Sequence, residues 1–143
     1  VAQLSYPSSY NVGANMLSKL MARANPPTAI YCLDPFMAVG MVNMAHQMAL
    51  KIPDELSLLT FDDTQVRYST YPTLSAVGQD SRLLGYEAAS HLIAMLAGES
   101  RVMRWMLPAF FETNASTGPP PAQPMRVFPN GSRRPVEGDR AGS

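Results

Sequence analysis

Apolar and polar positions alternate between helical and strand periods along the first 117 residues. Apolar residues recur at spacings of three and four over Asn11–Ala24, and this period predicts an amphipathic helix. Pro26 and Pro27 end that helix, because proline cannot continue the backbone hydrogen-bond ladder. The next run, Thr28–Leu33, consists of β-branched and apolar residues, which predicts a strand that is covered on both faces.

A second helix and a second strand follow. Asp34 and Pro35 are predicted to start the helix, because an Asp at the N-cap accepts hydrogen bonds from free backbone amides and Pro fits the first helical position. The second strand is predicted at Leu56–Phe61, and it ends at two adjacent carboxylates, Asp62 and Asp63. Charge is costly inside a buried strand, so these acids are expected just past its end.

The third unit follows a long polar and aromatic connection. Asp80 is predicted to cap a helix that Gly98 ends, and Val102–Thr113 is predicted to be extended. The resulting order of helices and strands predicts an α/β fold with a parallel sheet flanked by helices. In such sheets ligands bind beyond the carboxyl ends of the strands, where Asp34 and Asp62 are both expected.

The composition of the chain changes near Thr117. Residues 118–143 contain six of the 13 prolines and no apolar periodicity, which predicts a disordered tail rich in Pro, Gly and Arg. Its four arginines outnumber its two acidic residues, and this small excess favours a solvated tail over a nucleic-acid-binding arm. The predicted division is one domain at residues 1–117 and a disordered segment at residues 118–143.

Composition and charge argue against several classes of protein. The formal net charge is +0, with 11 basic and 11 acidic residues, so charge gives no support for binding to nucleic acid or to an anionic membrane. The sequence has no run of 18 apolar residues and no secretory signal at its start, so a cytoplasmic protein is expected. The single cysteine, Cys32, suits a reducing compartment and is expected inside the first strand. A first residue of Val rather than Met suggests processing or truncation.

Catalytic and metal-binding patterns are missing from the sequence. His46 and His91 lie alone on predicted helices, without a second ligand at metal spacing or a nucleophile motif nearby. Asp62 and Asp63 would point to opposite sides of an extended chain, which does not suit two carboxylates that share a proton. There is no glycine-rich phosphate loop either, so we expect a protein that is not an enzyme and uses no cofactor or metal.

Several short motifs occur in an order and spacing that is typical of one family. They are Asp34 followed by MAVG at 37–40, IPDELSL at 52–58, FDD at 61–63, a segment at 70–79 that carries Pro72, Leu74, Val77 and Gln79, LLGYEAA at 83–89, and MLPAFFETNAST at 106–117. Through these motifs, residues 27–99 and 106–117 resemble the later part of the effector-binding domain of lactose-repressor-like (LacI/GalR) transcriptional regulators.

The resemblance implies a Rossmann-like, type I periplasmic-binding-protein-like domain, present here in part, whose two lobes hold a small effector such as a sugar. In this family a helix-turn-helix head binds operator DNA and the regulators usually dimerise; the 143 residues contain no such head and lack most of the first lobe. The helix after Asp80 would dock on first-lobe strands. We therefore expect the isolated chain to fold incompletely or to associate through the apolar face of that helix.

Four residues are candidates for ligand binding. The resemblance implies that Asp62 accepts hydrogen bonds from ligand hydroxyls, whereas Asp63 is expected to cap the following turn. Asp34 is interpreted either as a helix cap or as a ligand contact. Gln79 is interpreted as a contact either with the ligand or with the hinge backbone. Tyr10 could stack on a sugar ring, with core packing or simple exposure as the alternative.

The sequence also departs from the family pattern. Leu33 stands where many members have an Asn that contributes its amide to the ligand, and Thr60 and Asn114 replace a Gly and an Arg of the family motifs. The predicted function is the ligand-sensing part of a LacI-family regulator. Two alternatives stay open, which are a sugar- or solute-binding component of a transport system and a non-functional, truncated remnant.

Overall fold

A four-stranded mixed sheet forms the centre of the domain. The computed structural model describes residues 9–62, 65–99 and 105–136. The strands are β1 (Ala29–Cys32), β2 (Ser57–Phe61), β3 (Ser75–Gly78) and β4 (Phe110–Glu112), and they follow this same order across the sheet. The first three are parallel and β4 runs antiparallel to β3. The predicted α/β class is therefore confirmed, with one antiparallel strand added at the edge.

Three helices accompany the sheet, and their starts follow the predicted capping residues. They are α1 (Ser9–Met21), α2 (Pro35–Gln47) and α3 (Ser81–Leu96), with a short 3₁₀ helix at Gln65–Ser69. The Oδ1 atom of Asp34 accepts the amide hydrogens of Phe36 at 2.7 Å and Met37 at 3.2 Å. Asp80 accepts the amide hydrogen of Leu83 at 2.8 Å, so both predicted N-caps are confirmed.

Helices α1 and α2 pack against each other through direct backbone contact. A Cβ atom at Gly13 would lie 2.0 Å from the carbonyl oxygen of Met37, and one at Gly40 would lie 2.0 Å from that of Tyr10. Only glycine allows this close approach. Beneath the two helices lies the apolar core, formed mainly by Leu17, Met21, Cys32, Met41, Val42, Ala45, Leu56, Leu58 and Leu74.

The pattern of apolar residues does not predict strand β3. This strand lies in the long polar and aromatic connection between β2 and Asp80. Its first residue, Ser75, is fully buried even though it is polar. The Ser75 hydroxyl lies 3.1 Å from the carbonyl oxygen of Asn114 and 2.9 Å from the hydroxyl of Thr117. These partners, about 40 residues away, make a polar residue acceptable in the core, and no local pattern reveals them.

The segment after Gly118 differs from the predicted disordered tail. Residues Met125–Val127 (β5) and Arg133–Pro135 (β6) form an antiparallel hairpin, and the side chain of Val127 is buried in the core. Arg126 donates from Nε to the carbonyl oxygen of Ala22 at 3.2 Å, just past α1. Arg133 donates to the carbonyl oxygen of Ala49, just past α2, and forms an ion pair with Glu55.

The physical reason for this difference is tertiary contact beside two helix ends. A cation is favourable near the C-terminus of an α-helix, where the helix dipole is negative. Arg126 donates to the carbonyl of Ala22, one residue past α1, and Arg133 donates to that of Ala49, two residues past α2. These contacts offset the low strand propensity of a Pro- and Gly-rich segment. Residues 137–143 of the predicted tail lie outside the described residues.

Helix α3 has an unusual environment in the described part of the chain. None of its 16 residues is buried, and large apolar side chains are strongly exposed, with Ile93 at 68% and Leu96 at 80%. Gly98, with a φ of +86°, follows the helix as predicted. No helix within residues 9–62, 65–99 and 105–136 has the length and hydropathy that a membrane span requires.

Candidate ligand-binding site

The carboxyl ends of β1, β2 and β3 bring three of the predicted site residues to one edge of the sheet. Cys32 of β1 is paired with Thr60 of β2, and Asp34 and Asp62 each follow their strand residue by two positions. Neighbouring strands lie about 4.8 Å apart, so the two acids leave the sheet at the same level on adjacent strands. Gln79 directly follows β3, the next strand across.

Asp62 adopts a backbone conformation that is uncommon for a residue with a side chain. Its φ is +76°, and its amide donates to the carbonyl oxygen of Val77 at 2.8 Å, which anchors it to β3. Asp and Asn tolerate the left-handed region better than most residues, and residues held there are often found at ligand sites. Its half-buried carboxylate has no hydrogen-bond or ion-pair partner among the described residues.

Asp34 fills the helix-capping role with only one of its two carboxylate oxygens. Both of its amide contacts are made by Oδ1, so among the described residues Oδ2 accepts no hydrogen bond. The Asp34 backbone carbonyl also accepts the thiol hydrogen of Cys32, at a sulfur to oxygen distance of 3.3 Å. One carboxylate oxygen therefore caps α2 while the other is available at the sheet edge.

Two aromatic rings lie near Asp34, the N-cap of α2. Tyr10 at the start of α1 and Phe36 in the first turn of α2 make an edge-to-face contact, with ring centroids 5.4 Å apart and planes at 75°. Both rings are partly exposed, at 38% and 45%. Leu33, which replaces the family Asn, is 72% exposed at the same edge. Tyr10 is thus outside the core, and the edge carries an apolar surface next to two carboxylates.

Phe36 is a candidate site residue that the sequence did not predict. An apolar residue such as Phe36 in the first turn of a predicted helix is expected in the core. The one signal in the sequence that places Phe36 at the sheet edge is its position two residues after Asp34. Gln79 lies half-buried between β3 and α3, and its carbonyl accepts the amide hydrogen of Ser81 at 2.9 Å. Asp63, predicted to cap the next turn, lies outside the described residues.

A buried arginine holds the segment that follows Asp62. Arg67 in the 3₁₀ helix is fully buried, and its guanidinium donates to the carbonyl oxygen of Leu74 at 3.2 Å and to the carboxylate of Glu112 in β4 at 2.5 Å. The hydrogen bond from Arg67 lowers the pKa of the Glu112 carboxyl. A single Arg in a polar loop gives no sign of burial, so the sequence did not predict this network.

The described residues offer no metal centre and no activated thiol. They contain no group of three or more His, Cys, Asp or Glu side chains placed to hold a metal ion. Burial raises the pKa of the Cys32 thiol, which disfavours the reactive thiolate form. The chemistry that this edge can provide is therefore hydrogen bonding by carboxylates and amides, together with contact to aromatic rings.

Comparison with known proteins gives one consistent result. The sequence profile of the periplasmic binding protein-like domain family matches residues 2–110. The HTH-type transcriptional repressor CytR of Escherichia coli is 29% identical over 91 residues, which cover 64% of this chain and 27% of CytR. The chain thus spans about a quarter of that relative's length.

Solved structures share the fold. A LacI family transcriptional regulator from Bifidobacterium animalis superposes with a TM-score of 0.75 at 24% identity, over 82% of this chain and 43% of that one. A complex of the transcriptional regulator CelR with cellobiose superposes with a TM-score of 0.70 at 20% identity, over 78% and 37% of the two chains.

Proposed function

Because the chain belongs to the periplasmic binding protein-like domain family, we propose that it is the ligand-sensing part of a LacI-like transcriptional regulator. Its effector is a sugar or a similar small polar molecule that binds at the carboxyl edge of the sheet. The naming of CytR as a transcriptional repressor favours regulation over transport. The cellobiose bound to CelR, a protein of the same fold, supports the sugar class.

One observation carries this proposal, which is the placement of Asp34 and Asp62 at the same level on adjacent strands. Among the described residues, Asp62 keeps both carboxylate oxygens without a hydrogen-bond partner and Asp34 keeps Oδ2. Vicinal hydroxyls of a sugar can donate to two such acceptors, and each hydrogen bond to a charged group contributes about 1.5–3 kcal/mol. The rings of Tyr10 and Phe36 provide a surface for the apolar face of the sugar.

Effector binding controls transcription in this proposal through a conformational equilibrium. An effector shifts an equilibrium only by its difference in affinity for the two states. The two states are arrangements of the two lobes of the intact regulator, which acts in the cytoplasm as a homodimer. Its operator DNA is bound by a helix-turn-helix head rather than by the residues of this chain.

The test is a titration of the 143-residue chain with a panel of mono- and disaccharides, followed by amide NMR. We expect at least one sugar to shift saturably the amide signals of residues 33, 34, 36 and 37 and of residues 60–62; Pro35 has no amide hydrogen. Affinity in the range of about 1 mM is expected, because this edge supplies only part of a cleft. The acyclic polyol sorbitol serves as the control. A panel in which no sugar shifts these amides more than sorbitol does would contradict the proposal.

A further inference from the structure

A cavity of about 460 Å³ lies between the last turns of α1 and α2 and the β5–β6 hairpin. We propose that this cavity binds a small amphipathic carboxylate, meaning a molecule with an apolar body and one acid group. It lies toward the opposite ends of the two helices from Tyr10 and Phe36, so it is separate from the sheet edge described above. Its size falls within the range of pockets that bind small molecules in proteins.

The walls of this cavity are fixed by contacts described above. Helices α1 and α2 touch through their backbones at Gly13 and Gly40, and the hairpin is held by its two arginines and by the buried Val127. Part of the lining, Phe128, Pro129 and Gly131, lies in the turn between β5 and β6. Hydrogen bonds close this turn, from the amide of Phe128 to the carbonyl oxygen of Ser132 at 2.8 Å and from the amide of Gly131 to that of Phe128 at 2.9 Å. A preformed cavity costs a ligand less ordering than one that has to form on binding.

The lining is mainly apolar and adaptable. Met44 and Met48 of α2 face Val127 and Phe128 of the hairpin across the cavity. Methionine side chains are flexible and polarisable, and they adjust to apolar groups of different shapes and contact aromatic rings favourably. This lining suits a phenyl ring or a branched alkyl chain.

The charge of the cavity favours an anion. Among the described residues that line it, Lys19 is the one charged residue and none is acidic. Gln47 adds amide donors. Helix C-termini normally attract cations. Here the carbonyl oxygens of Ala22 and Ala49, just past the two helices, already accept hydrogen bonds from Arg126 and Arg133, which offsets that preference.

Two guanidinium groups lie near the ring of Phe128, which lines the cavity. The Cζ atom of Arg126 lies 4.6 Å from the centroid of this ring, and that of Arg134 lies 6.0 Å from it. Neither arginine is among the described residues that line the cavity, so the charge that a carboxylate meets there is that of Lys19, while its apolar body contacts Met44, Met48 and Phe128.

The test uses two probes of the same shape, 4-phenylbutyrate and the neutral 4-phenyl-1-butanol, and the intact 143-residue chain. Methionine methyl groups labelled with ¹³C report where each probe binds. We expect the acid to shift the methyl signals of Met44 and Met48 saturably, with an affinity at least about fivefold higher than that of the alcohol. Met95 and Met106, which are 59% and 90% exposed, report non-specific binding to exposed apolar surface.

A pair of lysine variants tests the charge directly. Lys19→Gln is expected to remove the preference for the acid over the alcohol. Lys51→Gln removes the same charge from a residue that does not line this cavity, and it should keep the preference. Equal affinity for both probes in the unaltered chain would overturn the proposal without any variant. Shifts at Met95 that parallel those at Met44 would do the same.

Discussion

Asp62 illustrates how one backbone angle can restrict the residues that a position accepts. A φ of +76° is strained for most side chains, at a cost of order 1 kcal/mol, and Asp or Asn tolerates it better than Ala. The sequence alone predicted the placement of Asp62 just past a buried strand, because charge is excluded from such a strand. It did not predict the positive φ, which depends on the hydrogen bond from the Asp62 amide to Val77 in a strand that the pattern missed.

Removal of the Asp62 carboxylate is expected to weaken effector binding. We predict that Asp62→Ala in the intact regulator lowers affinity at least about tenfold, or about 1.4 kcal/mol, because ligand hydroxyls lose a charged acceptor. Isothermal titration calorimetry measures this directly. Asp62→Asn tolerates the same φ and loses only the charge, so it separates the ligand contact from backbone strain. Asp54→Ala, on an exposed residue away from this edge, is the matched control, and unchanged affinity in both Asp62 variants would refute the assignment.

The ion pair between Arg67 and Glu112 is expected to make stability depend on acidic pH. The Glu112 pKa is lowered in the folded state, mainly by the hydrogen bond from Arg67, from its usual value of 4.5. Its contribution to stability is therefore fully present above pH 4.5 and is lost as the pH falls through the lowered folded-state pKa. Thermal unfolding between about pH 6 and pH 3 should show a smaller pH dependence for Glu112→Gln than for the unaltered chain. Identical pH profiles would mean that this pair does not contribute.

Local signals predicted the helix starts, and tertiary contacts decided the elements that were missed. Asp34 and Asp80 cap their helices through amides two or three residues away, so the sequence window contains all the information needed. Strand β3 depends on partners of Ser75 near residue 115, and the hairpin depends on carbonyl groups that Arg126 and Arg133 find on distant helices. The local sequence therefore predicts the helix starts better than it predicts β3 and the hairpin, whose partners are distant along the chain.

The hairpin is expected to stabilise the domain chiefly through Arg133. We predict that Arg133→Ala lowers the free energy of unfolding by about 1–3 kcal/mol, because Glu55 and the Ala49 carbonyl lose a charged donor. Urea unfolding followed by circular dichroism measures the change. Arg134→Ala alters the neighbouring, exposed arginine and is expected to change stability by less than about 0.5 kcal/mol. Equal effects of the two variants would argue against this role of Arg133.

At the scale of the whole molecule, the chain spans less than half the length of the relatives reported above, and its helix α3 is exposed. The chain covers 43% of the Bifidobacterium regulator and 27% of CytR, and none of the 16 residues of α3 is buried. The family resemblance implies that this helix docks on strands of the first lobe. The sequence therefore predicted both the helix and its unusual exposure, which follow from apolar periodicity and from the order of the family motifs.

The exposed face of α3 is expected to cause self-association of the isolated chain. A contiguous apolar surface of this kind is rare on stable monomers. We predict that the double variant Ile93→Lys and Leu96→Lys shifts the chain toward monomer in sedimentation velocity experiments at concentrations where the unaltered chain associates. Tyr71→Lys changes a residue that is 86% exposed outside α3 and should leave association unchanged. A monomeric unaltered chain with a sharp, cooperative thermal transition would show the expectation to be wrong.

The backbone contact between α1 and α2 has a mechanical consequence for the domain. Gly13 and Gly40 let the backbones of the two helices touch in their N-terminal halves, beside Met37 and Tyr10. A Cβ atom at either glycine would meet backbone atoms, which cannot move aside as a flexible side chain can, so the helices would have to separate there. Tyr10 and Asp34 lie at this end of the helix pair. We therefore expect a methyl group added at Gly13 or Gly40 to shift the ring of Tyr10 relative to that of Phe36 and so to alter the candidate ligand-binding edge.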